Sequence, residues 1–218
     1  MTTSHWLPTQ LKESCWSFQG ASCYVKIIAE FDRIVTTDLL QSFLDGLDAL
    51  VPRLLELYKA AVVSGRKLAL KRVLQCLEKE DTNQNRRTAA LLGLPHYLQE
   101  NPSNIRMCEA HGETLDVAMN GMQVGLLIGH KGVLDDVFPL QIFNVAVVVE
   151  EKIVIYNLRD VPSGFAILMG ITYSVNLEYP PSMKYSFEFL QKVIMKIKPD
   201  QCSARIHGLR NKLLRYHT

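Results

Sequence analysis

Between residues 36 and 100 the apolar positions recur at helical spacing. Thr36 and Thr37 stand as candidate N-caps ahead of Leu40, Phe43, Leu44, Leu47, Leu50 and Val51, which fall on one face at steps of three and four. Pro52 has no amide hydrogen to give, so it fits the first turn of a second helix better than the interior of one. That second helix carries Leu54, Leu55, Tyr58 and Val62 on one stripe and stops at Ser64-Gly65, a C-cap signal. A third, over residues 67–80, turns Leu70, Val73, Leu74 and Leu77 inward and ends at the polar run DTNQN. A fourth is expected after Asn85, kinked or divided at Pro95 and closed by Asn101-Pro102. This half reads as a small helical bundle. Residues 1–35 contain Trp6, Trp16, Phe18, Tyr24, Ile27, Ile28 and Phe31, which suit short strands or irregular chain, and they carry no firm element assignment.

Past residue 112 the period shortens to two. Leu115, Val117 and Met119 alternate up to Asn120-Gly121, and Met122, Val124 and Leu126 alternate after it. Asn-Gly supplies the positive φ angles of a two-residue type I′ turn, so the pattern predicts a β-hairpin with Met119 opposite Met122 and Val117 opposite Val124. The β-branched runs FNVAVVV and KIVIYNL predict two more strands, joined at Glu150-Glu151. Asp160-Val161-Pro162 then reads as the N-cap and first turn of a buried helix to about Asn176. Tyr179-Pro180-Pro181 breaks the chain, and Ser182 is the expected cap of a helix whose stripe is Met183, Phe187, Leu190, Ile194 and Ile197. Glu188 and Lys192 are expected as an i,i+4 pair on its wet side. Pro199 ends it, and a short basic helix finishes the chain. The expected fold class is therefore α+β: an N-terminal helical bundle followed by a small, mainly antiparallel sheet packed with C-terminal helices. Its divisions are an uncertain N-terminal segment 1–35, a helical subdomain 36–111 and an α/β subdomain 112–218 with a basic C-terminal helix, the alternative being one compact domain overall.

Composition narrows the function classes. With 48% hydrophobic and 21% charged residues the 218-residue chain has an ordinary globular composition and can bury a core, which disfavours disorder. A formal charge of +2 provides no whole-protein field for nucleic acid or anionic lipid, although a local patch is compatible with it. Five scattered cysteines, an odd number, do not make a secreted disulfide framework, and the N-terminus lacks the apolar core of a signal peptide. A cytoplasmic or nuclear location is the expectation. Residues 161–177, VPSGFAILMGITYSVNL, are uncharged, but the stretch is short for a span and diluted by hydroxyls and an amide, so it predicts a buried helix and no membrane association.

Four phrases carry a family resemblance: SFLDGLDALVPRLLELYKA, RRTAALLGLPHYLQENP, the long run VAVVVEEKIVIYNLRDVPSGFAILMGITYSVNLEYPPSMKYSFEFLQKV, and CSARIHGLRNKLL. Together they resemble the carboxyl-terminal region of a multicopy vertebrate family, the sterile alpha motif domain-containing protein three-like proteins, over about residues 40–215. The resemblance brings no established enzymatic activity and no catalytic or ligand residue to this chain. The sterile alpha motif itself is not found in the sequence, which the resemblance would explain by a short member or a partial product.

Chemistry-bearing patterns are few. Gly129-His130-Lys131-Gly132 resembles the phosphate-approaching loop of KH nucleic-acid-binding domains, but the strand pattern before it, Asp135-Asp136 beside it and Pro139 after it favour an ordinary solvent loop. Cys108 and His111 are spaced as half of a zinc site, and Cys202 with His207 is a looser second pair; a buried thiol and a surface imidazole are the favoured fates, so no metal and no cofactor are expected. No serine elbow, phosphate loop or dinucleotide fingerprint occurs. The last feature is a cluster of cations. After Asp200 the chain has no acid yet holds Arg205, Arg210, Lys212 and Arg215, with Lys192 and Lys196 upstream. Such a cluster can contact a phosphate backbone or an acidic partner, or it can be the wet face of a packed helix, which is the more common case. The sequence thus favours a non-enzymatic protein-interaction or scaffold module. The alternative is nucleic-acid binding through residues 192–215 or the KH-like loop.

Overall fold

A computed structural model describes the backbone of residues 17–65, 68–109, 115–131 and 141–215, and side chains from residue 25 onward. The helices α1 (Ser17–Val35), α2 (Leu39–Val63), α3 (Leu68–Lys79) and α4 (Asn83–Leu98) come first. They are followed by β1 (Ile105–Glu109), α5 (Leu115–Met119), β2 (Val124–Lys131), β3 (Gln141–Val149) and β4 (Lys152–Ile155). Then come α6 (Val161–Ser174), α7 (Lys184–Phe189), which continues as a π turn over Leu190–Ile194, and α8 (Ala204–Arg215). The fold is α+β. The described residues separate into two compact units that interleave along the chain, one from residues 17–39, 103–109, 115–131 and 141–180, the other from residues 40–65, 68–102 and 181–215. These limits follow packing, whereas divisions at 36 and 112 follow changes of hydrophobic period.

In the first unit the sheet has the order β1-β2-β3-β4. β1 runs parallel to β2, with Ile105 beside Leu126, and the β2–β3 and β3–β4 pairings are antiparallel, so the sheet is mixed. Val124–His130 and Asn144–Val148 are buried at consecutive positions, because both faces of these central strands are covered. α6 covers one face. Gly164 makes this possible, since a Cβ there would lie 2.6 Å from a methyl of Val145 on β3. α1 packs on α6, where Phe31 meets Tyr173 edge-on at 5.9 Å. On the other face Leu115, Ala118, Met119 and Met122 close over Cys108, Leu127, Ala146 and Val148.

That cover replaces the expected hairpin. Leu115–Met119 is helical, not extended, and Asn120-Gly121 ends the helix: Gly121 has φ 76° and Met122 N–H returns to the Met119 carbonyl at 2.9 Å. The same residues support both periods, since Leu115, Ala118, Met119 and Met122 fall at i, i+3, i+4 and i+7. Burial of that set decided for the helix. The partner that β2 gains instead is β1, within the segment read as the end of the helical subdomain. The hairpin that does form joins β3 and β4 at Glu150-Glu151, as expected, with φ of 50° and 60°. Glu151 holds this turn by accepting the Gly121 N–H at 2.5 Å.

α6 begins where the sequence places it. The Asp160 carboxylate accepts the Ser163 N–H at 2.8 Å and a bond from Arg159 Nε at 3.1 Å. Burial pushes this carboxyl up, but the hydrogen bonds from Ser163 and Arg159 outweigh it and leave the group below the usual carboxylate range. A lowered folded pKa stabilises at pH above the unfolded value of about 3.9, and the stabilisation disappears as pH falls through the folded value. Asp160→Ala should therefore cost about 1 kcal/mol at pH 7. In urea unfolding, the advantage of wild type over Asp160→Asn should shrink between pH 7 and pH 3; an advantage that grows on acidification would contradict this account. Ala166, Leu168, Met169 and Ile171 are buried as expected, whereas Val175 is the helix's C-cap and is 61% exposed. Among the described residues no helix is long and apolar enough to cross a membrane.

In the second unit α2 runs unbroken through Pro52, which the sequence reading placed at the start of a new helix. Pro52 is exposed, so the carbonyl it fails to satisfy faces water, while Leu47, Val51, Leu54, Leu55 and Tyr58 form one buried stripe across it. α4 begins before Asn85, because the Thr82 hydroxyl caps it by accepting the Asn85 N–H at 3.1 Å, and it passes Pro95 undivided to end at Gln99 with φ 57°. Tyr58 donates to the Ala90 carbonyl at 2.7 Å in the core; burial, and then the neighbouring Tyr97, raise its hydroxyl well above the usual phenol value. Met183, one residue past Ser182, holds the N-cap position of α7, but its side chain does not cap the helix. The Glu100 carboxylate does so instead, accepting the Tyr185 and Ser186 N–H groups at 2.6 and 2.8 Å and the Ser186 hydroxyl at 2.6 Å. The stripe Met183, Phe187, Leu190, Ile194 and Ile197 is buried, but so is Glu188, which the sequence reading placed on the wet side.

Candidate functional site

The burial of Glu188 explains how α8 is placed. Its carboxylate accepts the Ser203 N–H at 2.5 Å and the Ser203 hydroxyl at 2.8 Å, and the Ser203 carbonyl accepts the His207 N–H at 2.9 Å in the first turn of α8. A carboxylate excluded from water is thus matched by donors at the entry of the helix it anchors. Ile206, Leu209 and Leu213 are the buried stripe of α8. Near its other end Arg53 of α2 donates to the Leu213 carbonyl at 3.3 Å, one of the last carbonyls that lack an intrahelical partner.

Beside this stripe α8 borders a cleft of 760 Å³, shared with α2 and the C-terminal end of α4. Ala60 and Ala61 of α2 and Ala204 and Gly208 of α8 give it small walls, while the leucines that border it, Leu57, Leu98 and Leu209, are buried. Arg205, Lys212 and Arg215 line it as well and are exposed. The Arg205 guanidinium lies 4.6 Å from the centre of the Tyr185 ring and donates to the Leu98 carbonyl, so the side chain is held from two directions. No carboxylate occurs among the described lining residues.

The structure divides the cations singled out in the sequence. Arg205, Lys212 and Arg215 come together at the cleft. Arg210 falls on the other side of the buried stripe, about 140° around the helix from Arg205, and donates to the Pro199 carbonyl at 3.2 Å. Lys192 is half-buried in the π turn, and Lys196 is exposed just beyond it with φ 55°; neither lines the cleft.

The remaining candidates are placed differently from each other. Gly129, His130 and Lys131 lie inside β2, paired with β1 and β3, so their backbone belongs to the sheet ladder and not to a loop; Gly132 is outside the described residues. His130 is buried, with no hydrogen-bond partner at Nδ1. Cys108 is buried in β1, and His111 lies outside the described residues. Cys202 donates to the Pro199 carbonyl at 3.1 Å, and His207 Nδ1 stands 3.2 Å from the Asn211 side-chain amide. Among the described residues no group of three or more His, Cys, Asp or Glu gathers as metal ligands would.

No family model, curated protein or solved structure matches this chain. The residues that shape the cleft were partly invisible to pattern reading. Tyr185 and the alanines of α2 carry no sequence signal of a site, and Glu188 sits at a spacing that suggests a surface pair. Ser203 immediately before Ala204 was the available clue to where α8 starts.

Proposed function

We propose that this chain is a non-enzymatic interaction module that works through protein–protein contact at the cleft beside α8. The observation that carries the reading is one concave surface that sets the small walls Ala60, Ala61, Ala204 and Gly208 beside Arg205, Lys212 and Arg215, with no carboxylate among the described lining residues. Concave apolar surfaces edged by a few polar groups are where proteins bury a ligand, and charge at such an edge selects the partner. A protein that tracks phosphates needs its cations along one continuous path, and here Arg210 lies about 140° around α8 from Arg205.

Duplex DNA tests this against the nucleic-acid alternative. Each phosphate contact would release counterions and add about −0.9 to the slope of log affinity against log salt. We expect no titratable duplex binding at physiological salt. Micromolar binding with a slope of about −3.6 or steeper, abolished when Arg210 and Arg215 are both changed to Glu, would overturn the interaction reading.

A further inference from the structure

We propose that Asn120-Gly121 is a deamidation site guarded by Glu151: the asparagine stays intact while its turn is closed and converts to aspartate and isoaspartate when the turn opens. This is the single Asn-Gly step in the chain. Asn120 is exposed directly after α5, and Gly121 follows it with φ 76°. An asparagine cyclises when the backbone nitrogen of the next residue reaches its side-chain carbon, and glycine, with no Cβ, hinders that approach least.

The reaction consumes only water. A solvent base takes the Gly121 amide proton, and the nitrogen forms a bond to Asn120 Cγ. The Cγ–Nδ2 bond then breaks, which releases ammonia and leaves a five-membered succinimide. Water opens the ring at either carbonyl, giving aspartate or the isomer in which the main chain runs through the side chain. Nothing is oxidised or reduced.

The closed turn opposes the first two events. Gly121 N–H donates to Glu151 Oε1 at 2.5 Å, so removing its proton would leave a negative nitrogen against a carboxylate. The nitrogen is also held in place from both sides. Met122 N–H returns to the Met119 carbonyl at 2.9 Å, Glu151 N–H reaches the Met122 carbonyl at 2.9 Å, and Glu150 N–H reaches the Gln123 carbonyl at 2.8 Å. Turning Gly121 N toward the Asn120 side chain disturbs this set. Met119 and Met122 also belong to the apolar cover over Leu127 and Ala146, so opening the turn exposes buried surface. Isoaspartate would add a main-chain carbon and a second carboxylate beside Glu151, which prevents the same bonds from forming again. Opening of the sheet's cover is thereby recorded as a permanent chemical change.

Peptide mapping by mass spectrometry follows the conversion of Asn120 in the full chain at neutral pH. The chain unfolded in urea is expected to convert at least about tenfold faster than the folded chain, since no bond then holds the nitrogen. Among folded proteins, Glu151→Ala should convert at least about threefold faster than wild type, a factor that one modest hydrogen bond supplies. Asp160→Ala weakens the same unit away from this turn and should convert at the wild-type rate, and in urea all three should convert alike. Circular dichroism confirms folding. If Glu151→Ala does not fold, Glu151→Gln, which removes the charge and keeps an acceptor, takes its place with acceleration in the same direction. Folded wild type converting as fast as the unfolded chain, a folded Glu151 variant converting at the wild-type rate, or Asp160→Ala accelerated as much as the Glu151 variant would each overturn the inference.

Discussion

Leu168→Asp is expected to unfold the sheet-containing unit. Leu168 is 1% exposed in α6, a helix that is buried along almost its whole length between α1 and the sheet. Removing a buried leucine side chain costs about 2–5 kcal/mol by itself. The carboxyl put in its place has no donor to meet it, and it must either ionise in an apolar site or stay protonated at pH 7, either of which adds to the loss. Domains of this size are stable by about 5–15 kcal/mol in total, so the sum reaches the scale of the whole. Urea titration followed by circular dichroism measures the effect. Leu168→Met, which keeps volume and apolarity, should lose less than about 1.5 kcal/mol and serves as the control. A Leu168→Asp protein that unfolds at the wild-type urea concentration would mean that α6 is not a core helix, and would restore a lipid-facing role for it.

Gly46→Ala should destabilise the helical unit, although helix propensity alone predicts a gain of about 1 kcal/mol. A Cβ at Gly46 would stand 2.1 Å from the carbonyl oxygen of Ile194 and 2.9 Å from its carbonyl carbon. Both are backbone atoms, so no rotamer change relieves the contact, and α2 must separate from the π turn at Leu190–Ile194. Overpacking of that kind costs about 2–3 kcal/mol. Gly208→Ala in α8 is the matched opposite case: nothing lies within 4 Å of its Cβ, and the helix should gain about 0.5–1 kcal/mol. The sign difference between two identical substitutions is the test. A Gly46→Ala variant as stable as Gly208→Ala would show that α2 does not meet the π turn at this position.

Much of the secondary structure could be read from local chemistry. Asp160-Val161-Pro162 starts α6 because a carboxylate and a proline suit an N-cap and a first turn in any context, and Ser64-Gly65 ends α2 because Gly65 takes φ 75° without a Cβ in the way. FNVAVVV and KIVIYNL became β3 and β4 because β-branched side chains favour extended backbone and a sheet buries them. The buried stripe of α8 follows from a different local signal, Ile206, Leu209 and Leu213 recurring at helical spacing.

Where two local readings competed, the sequence could not choose. Leu115–Met122 satisfies both a period of two and a period of 3.6, and only the sheet face waiting over Leu127 and Ala146 selected the helix. Pro52 breaks a helix in isolation, yet a continuous buried stripe on both sides of it carries α2 through. Partners far apart in sequence were equally beyond local inference: β1 beside β2, Glu100 at the start of α7, and Glu188 at the start of α8. The basic character of the C-terminal segment was plain from its composition. Which of its cations share a surface was not, because side chains on one helix are sorted by what packs against it. The stripe of Ile206, Leu209 and Leu213 turns Arg205, Lys212 and Arg215 to the cleft and leaves Arg210 to a carbonyl on the other side.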